Sequence, residues 1–349
     1  MALEQRGQVV ELSKGMSTVN QEEHTMNGKP FAIDKNLVYQ AWKQVKAAGG
    51  APGVDGVTVE AYEANLKSNL YKLWNRMSSG SYMPKAVRRV EIPKAAGGVR
   101  PLGIPTVADR VAQCSVMMLD DTELDRHFHV DSYGFRKGHS AHEAVAKCRE
   151  RCFQYNWVLD IDIEKYFDSI DHALLLRAVE KHVQGHWARL YIERWLKAPI
   201  HMLDGKEEIS EKGTPQGGVI SPLLANLFLH YAFDMWMRRT HTKLPFERYA
   251  DDIVVHCRTE KEATELRAAL GERFAACGLR LHPDKTKVVY CKDSRRCAKY
   301  HEKTFSFLGF DFKPRRARSR DGKLYTVFTP GVSRNGQKRL VHVMRIWGI

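Results

Sequence analysis

The chain has no apolar stretch approaching the roughly 20 residues that cross a bilayer as a helix. Its longest apolar region, 219–233, is broken by Ser221, Pro222, Asn226 and His230, which argues against a membrane span. It also lacks the paired, closely spaced cysteines of a disulfide scaffold. The seven cysteines are scattered and odd in number, and no signal-peptide pattern precedes them, so reduced thiols and a cytoplasmic location are expected. Cys291, Cys297 and His301 form C-x5-C-x3-H, which is missing the close cysteine pair of usual zinc sites and reads as ordinary core and surface cysteines. Acidic residues are the scarcer charge: 41 Asp and Glu stand against 55 Lys and Arg, a net charge of +14. Such an excess points to a polyanionic partner, most simply nucleic acid. Residues 1–30 are polar, aperiodic and poor in aromatics, the composition of a flexible leader.

Against that background, Phe246 to Cys257 (FERYADDIVVHC) stands out. Phe246 and Tyr249 lead into Ala250, Asp251 and Asp252, and Ile253, Val254 and Val255 lead out, which predicts a hairpin with two carboxylates at its turn. Aspartate is a common turn residue, but it is depleted in strands, and adjacent carboxylates repel. A second stretch, WVLDIDIEKYFDSIDH (157–172), reads as a strand with Leu159, Ile161 and Ile163 on one face and Val158, Asp160 and Asp162 on the other. A strand buried on one side would present those two carboxylates on its open side.

The remaining chain supplies the frame. A helix is expected over 36–48, ending at Gly49-Gly50, and another over 58–77. RRVEIPKAAGGVRPLGIPT (88–106) alternates apolar and charged residues about a turn, a hairpin carrying Arg88, Arg89, Lys94 and Arg100. Solvated charges are the ordinary fate of such residues, yet two cations on a hairpin can also grip phosphates. Residues 109–119 read as a buried helix, and Ser140 to Glu143 as a capping box. In GTPQGGVISPLLANLFLH (213–230) the glycines allow close backbone approach, Ser221-Pro222 reads as an N-cap with proline at the first helical position, and Gln216 is the polar side chain best placed to touch a ligand. Thr259 to Glu262 is a further capping box. Phe305, Phe307, Phe310 and Phe312 flank Leu308-Gly309 in an aromatic hairpin, and Arg315, Arg316, Arg318 and Arg320 form a basic cluster.

From 157 to 290 the order is strand, helix, glycine loop with helix, hairpin, helix, strand. That order fits an α+β fold with a split β-α-β-β-α-β sheet, which lays the first strand beside the central hairpin. Asp162 would then meet Asp251 and Asp252. Crowded carboxylates need cations, and hard oxygen donors favour Mg²⁺. Two such ions about 4 Å apart suit in-line phosphoryl displacement, so the pattern implies nucleotidyl transfer.

With those residues in view, the chain resembles the group II intron-encoded reverse transcriptase–maturase family. The resemblance is carried by GAPGVDGVT (50–58), RVEIPK and GGVRPLGIPT (89–106), DIEKYFDSIDH (162–172), GTPQGGVISPLLANLFLH (213–230), RYADD (248–252), HPDKT (282–286) and FLGF (307–310), collinear over about four-fifths of the chain. It implies a right-hand polymerase with fingers (31–156), palm (157–312, with finger and palm helices in 172–212) and a basic connection from 313 to 349 leading to a thumb that is truncated or absent. It implies RNA-directed DNA synthesis from deoxynucleoside triphosphates on an RNA template with a DNA primer, using two Mg²⁺ ions, with Mn²⁺ as a substitute. Asp162, Asp251 and Asp252 match the palm carboxylates, and Ile163 would lend a backbone carbonyl to the metal. Phe167 matches the steric gate against a ribose 2′-OH. Lys94 and Arg100 match the triphosphate contacts, Gln216 and Gly217 the loop beside the nascent pair, Lys285 a lysine that protonates pyrophosphate, and 307–310 the primer grip. Intron RNA is the further partner implied, and a homodimer is compatible with the pattern. The alternative is an RNA-binding maturase that assists splicing with little or no polymerase activity.

Overall fold

The computed structural model describes residues 28–93, 98–334 and 336–338. The expected leader up to residue 27, Lys94, and the end of the expected basic connection after 338 lie outside the described residues.

The first helix, α1 (Lys35–Ala48), starts where the Asp34 side chain accepts the Asn36 N–H and stops at Gly49, whose φ of 64° ends the turn. The helical stretch expected over 58–77 is two helices, α2 (Val59–Ala64) and α3 (Leu66–Ser78), broken at Asn65. Asn65, at φ −121°, ends one helix and holds the N-cap position of the next without a side-chain capping bond. Strands β1 (Val87–Pro93) and β2 (Val99–Ile104) form the expected hairpin, registered Pro93 to Val99 and Arg88 to Ile104.

Helix α4 (Val107–Asp125) is capped by Thr106, and α5 (Ala141–Gln154) opens on the full Ser140–Glu143 capping box. Then β3 (Trp157–Ile161), the short α6 (Tyr166–Ser169), α7 (His172–His182) and α8 (His186–Leu196) follow. The short strands β4 (Ile200–His201) and β5 (Glu207–Glu208) extend the β1–β2 sheet.

Helix α9 (Ser221–Leu229) departs from the expected cap. Ile220 holds the N-cap position, and Ser221 lies inside the helix. The Ser221 hydroxyl is engaged with Thr214 Oγ1 at 2.8 Å, while Gln113 Oε1 accepts the Val219 N–H at 2.8 Å. The helix therefore has no side-chain cap, and Gln113 instead fixes the loop just ahead of it. A π-helical turn (His230–Asp234) leads into α10 (Met235–Thr240).

Strands β6 (Phe246–Tyr249) and β7 (Asp252–Cys257) form the aspartate hairpin. Helix α11 (Glu260–Ala276) starts at Thr259, which accepts the Glu262 N–H, but Glu262 accepts from Arg258 rather than closing the box on Thr259. Strand β8 (Lys287–Tyr290) completes a four-stranded antiparallel sheet of order β6-β7-β3-β8. This is the split β-α-β-β-α-β order expected from the element sequence.

The palm sheet is covered on both faces, not one. Leu159, Ile161, Ile253 and Val255 join the main core, which also takes in α7, α9 and α11. Val158, Val254 and Val289 on the opposite face pack with α5 and with Phe305, Phe307, Phe312 and Phe328. The second cover comes from β9 (Phe305–Phe307), β10 (Phe310–Arg318) and β11 (Leu324–Val332). Phe305 and Phe312 stack with centroids 4.6 Å apart, and burying each ring is worth about 1.5–3 kcal/mol. The basic cluster is not a connection: Arg315, Arg316 and Arg318 lie on β10, paired along their length with β11. Although α5 falls on the fingers side of the expected division, it packs on the palm sheet.

Candidate active site

Sheet register brings the carboxylates together. Strand β3 pairs antiparallel with β7, Asp160 opposite Val254 and Ile161 opposite Ile253, so the next step along each strand sets Asp162 beside Asp252. The β6–β7 turn places Asp251 immediately before Asp252, with Tyr249 opposite Asp252. Asp162 and Asp251 line one cleft of about 720 Å³ together with Arg100, Phe167, Gln216 and Lys285.

The backbone carrying each carboxylate is fixed by its neighbours. The Asp162 carbonyl accepts the His282 N–H at 2.8 Å and the Thr286 hydroxyl at 3.2 Å, and its N–H donates to Thr286 Oγ1. An isolated bridge between Ile163 and Leu281 continues this contact. The bonds flanking that bridge, Glu164 N–H to Arg280 O and His282 N–H to Asp162 O, bypass Ile163 itself. In the aspartate turn, Ala250 adopts φ 57°, a left-handed conformation that favours glycine.

What holds that strained turn lies beneath it. Arg248, on β6, is fully buried and donates Nε and Nη2 to the two Asp234 oxygens at 2.7 and 2.6 Å. Its Nη1 donates to Asn226 Oδ1 and, at 3.3 Å, to the Ala250 carbonyl. Burial would raise the Asp234 carboxyl, but Arg248 and His230 bring it below the usual carboxylate range. Residues 131–134 run alongside β6: Arg248 N–H donates to Asp131 O, and Tyr133 N–H to Arg248 O. Gly134 then lies so close that a side chain there would run into the Ala250 nitrogen.

The carboxylates sit in an environment that resists their charge. Burial, aided by Asp252 and Asp162, pushes Asp160 up to about 8. Asp252 keeps solvent-exposed surface, yet the protein around it, with Asp251 and Asp162, lifts it to about 7. Asp251 is also raised, chiefly by burial and then by Asp162, with Arg100 opposing. Lys285 Nζ stands 3.6 Å from Asp162 Oδ1, a solvent-exposed pair of small energetic weight. Asp160, Asp251 and Asp252, held towards protonation beside Asp162, belong to a donor set that a divalent cation would relieve.

The other candidates take distinct places. Tyr166 turns its hydroxyl inward to Ala225 O at 2.5 Å and is buried, and the less buried Phe167 borders the cleft beside it. The glycine loop packs on the same short helix: Thr214 N–H donates to Phe167 O at 2.8 Å. Gly217, at φ 115°, lies against the Gly103 carbonyl, and Gln216 O accepts the Gly103 N–H at 2.7 Å, which ties the loop to β2 and so to Arg100. Lys94, the second hairpin cation, lies outside the described residues. Cys291, Cys297 and His301 do not form a cluster: Cys291 is buried, whereas Cys297 and His301 are exposed.

Sequence reasoning missed the support beneath the site: Arg248, Asp234, Asn226, Gly134 and Thr286. One signal was present. Asn226 and Asp234 are polar interruptions of an apolar helical run, and buried polar groups require partners.

The sequence pattern described as "Reverse transcriptase (RNA-dependent DNA polymerase)" matches residues 92–312. Protein YkfC of Escherichia coli (strain K12) is 32% identical over 318 residues, covering 80% of this chain and 79% of that protein. The putative COX1/OXI3 intron 1 protein of Saccharomyces cerevisiae is 30% identical over 65% of this chain, and the group II intron-encoded protein LtrA of Lactococcus lactis subsp. cremoris is 29% identical over 57%. The chain spans 29% and 33% of those two relatives. In fold it is similar to telomerase from Candida albicans, solved in complex with a fragment of telomeric RNA, with a TM-score of 0.51 at 11% identity, covering 73% of this chain and 49% of that one. The fold is that of a right-hand polymerase, and the chain belongs to the reverse transcriptase (RNA-dependent DNA polymerase) family, on the branch that includes the group II intron-encoded proteins.

Proposed function

We propose that the cleft extends a DNA primer on an RNA template from deoxynucleoside triphosphates, with group II intron RNA as the natural partner. The observation that carries this reading is the convergence of Asp162 and Asp251 on one cleft also lined by Arg100 and Lys285. Reverse transcriptases in general use divalent metal ions. Here Asp162, Asp251 and Asp252 would hold them, with the Ile163 carbonyl as a further oxygen donor. All-oxygen donors favour Mg²⁺, with Mn²⁺ as a substitute. When bound, the ions supply charge stabilisation for the attacking and leaving oxygens.

The chain's own residues do the rest. Arg100 offers a planar fork to the triphosphate, and Lys94 would add a second cation on the same hairpin. Lys285 stands where it can deliver a proton to the leaving pyrophosphate. The ring of Phe167 fills space that a ribose 2′-OH would need. Gln216, on the loop braced by Gly217, faces the nascent pair.

Primer extension on an RNA template tests this, with deoxy- and ribonucleotides side by side. Wild type is expected to incorporate deoxynucleotides. Asp251→Asn is expected to lose at least about 10³-fold, since metal stabilisation is worth several kcal/mol. Phe167→Ala is expected to admit ribonucleotides at least about tenfold better. Wild-type chain that folds and binds RNA but extends nothing would instead leave an RNA-binding maturase.

A further inference from the structure

Phe135 lines the catalytic cleft with Asp251 and Phe167, yet no step described above uses it. Its side chain is half exposed. An exposed phenylalanine is ordinary by itself. Its backbone is not: φ is 56°, in the left-handed region, where a bulky side chain is disfavoured and glycine or asparagine sits more easily.

The residues on either side impose that conformation. Gly134 lies against the Ala250 nitrogen, and its carbonyl accepts Asn226 Nδ2. Arg136, whose side chain is buried, donates Nε to Asp125 Oδ1 at 2.6 Å and Nη1 to the His129 carbonyl at 2.8 Å. Phe135 is therefore held between two fixed points with its ring turned to the cleft rather than to the core. Backbone strain that the surroundings over-determine, at the edge of an active site, is an observation that points to function.

Sheet order places the ring. Strand β6 is an edge of the palm sheet, and Ser132 bridges Arg248 in parallel, so residues 131–134 run along its free side. Phe135 follows them, with its ring centroid 6.4 Å from that of Tyr249, two residues before Asp251. The groups assigned to the incoming nucleotide come from the other flank. Phe167 lies on α6, which follows β3, and Lys285 pairs with Asp162 just ahead of β8. Arg100 is tied through Gly103 and Gln216 to the glycine loop, which packs on α6. The growing strand has to end at Asp162 and Asp251, across from the triphosphate, so its last base pair falls on the Phe135 flank.

We propose, resting on the polymerase reading of the cleft, that Phe135 and Tyr249 form an aromatic platform for the terminal base pair of the primer–template hybrid. A ring suits this task because every base has a π-face, so the contact tolerates all four bases as templated synthesis requires. The left-handed backbone keeps the ring in the path of the hybrid instead of letting it fold back against the protein.

The test is equilibrium binding of a fluorescent primer–template hybrid to the full chain with Mg²⁺ and no nucleotide, beside steady-state extension. Phe135→Ala is expected to weaken hybrid binding about 5- to 100-fold, the range of base–aromatic stacking. The dependence of binding on salt should keep its slope, since no phosphate contact is lost. The KM for deoxynucleotide should stay within about twofold, because the incoming nucleotide is held from the other flank. Phe135→Trp should bind as wild type does. Phe135→Asn, a residue at ease in the left-handed region, should bind as poorly as Phe135→Ala yet unfold at no lower denaturant concentration than wild type. Phe135→Ala that binds hybrid normally while its KM for deoxynucleotide rises would put the ring on the incoming nucleotide and overturn the proposal. So would Phe135→Asn that unfolds more easily than wild type, since the ring would then be a packing group. Wild type that binds hybrid but extends nothing fails the polymerase reading instead, and the binding comparison still decides whether Phe135 touches the hybrid.

Discussion

Arg248 and Asp234 form a two-pronged ion pair at 2.7 and 2.6 Å, sealed from solvent directly beneath the turn that carries Asp251. Arg248 also reaches the carbonyl of Ala250, so the pair supports the backbone of the turn itself. Removing one partner leaves the other charged and buried. Asp234→Ala is therefore expected to cost about 3–5 kcal/mol, measured by chemical denaturation. Asp234→Asn keeps hydrogen-bond acceptance and should cost less. Equal stability of wild type and Asp234→Ala would mean that the pair does not hold the turn.

Much of this was legible in the sequence, and the exceptions have physical reasons. Period-two and period-3.6 patterns located the β1–β2 hairpin, the palm strands and the Ser140 capping box, because each is set by residues close in the chain. The cap of α9 was misread because Ser221 lies inside the helix with its hydroxyl engaged by Thr214, and Gln113, far away in sequence, fixes the loop ahead of it. The palm sheet read as open on one side because Asp160 and Asp162 are polar. Its second cover, β9 to β11, is a distant segment whose position no local pattern encodes. Site residues were visible as charges in strands and turns. Their supports, Arg248 and Gly134, were not, since their roles exist only once β6 lies beside residues 131–134.

The raised carboxyls give a pH dependence with a definite sign. Asp252 is held up to about 7, Asp160 up to about 8, and Asp251 above its usual range. The folded chain therefore binds protons that the unfolded chain has already lost. These groups contribute stability below about pH 4 that disappears as pH rises through 7 to 8. In EDTA the unfolding temperature is expected to fall between pH 6 and pH 8.5. Added Mg²⁺ should raise it by roughly 2 °C or more at pH 8.5, and by less at pH 6, where protons compete. Asp252→Asn should flatten the EDTA profile. A Mg²⁺ shift equal at both pH values would separate the ion from these carboxyls.

Gly134 offers a test of backbone contact as distinct from side-chain chemistry. A Cβ built there meets the Ala250 nitrogen and the Tyr249 carbonyl carbon, backbone atoms that cannot swing aside. Its own carbonyl accepts Asn226 Nδ2, so the 131–134 segment is tied from the other side and cannot retreat freely. Gly134→Ala must then displace the aspartate turn, at a cost of about 1–3 kcal/mol by overpacking. Nucleotide incorporation is expected to fall further than stability does, because a shift near 1 Å at the site can cost 10²-fold. Gly271, inside α11, is the contrast: its added methyl meets only Leu281, at 3.9 Å. Gly271→Ala should stabilise by roughly 0.5–1 kcal/mol and leave incorporation unchanged. If Gly134→Ala behaved like Gly271→Ala, the tight approach of residues 131–134 to the aspartate turn would not be what fixes Asp251.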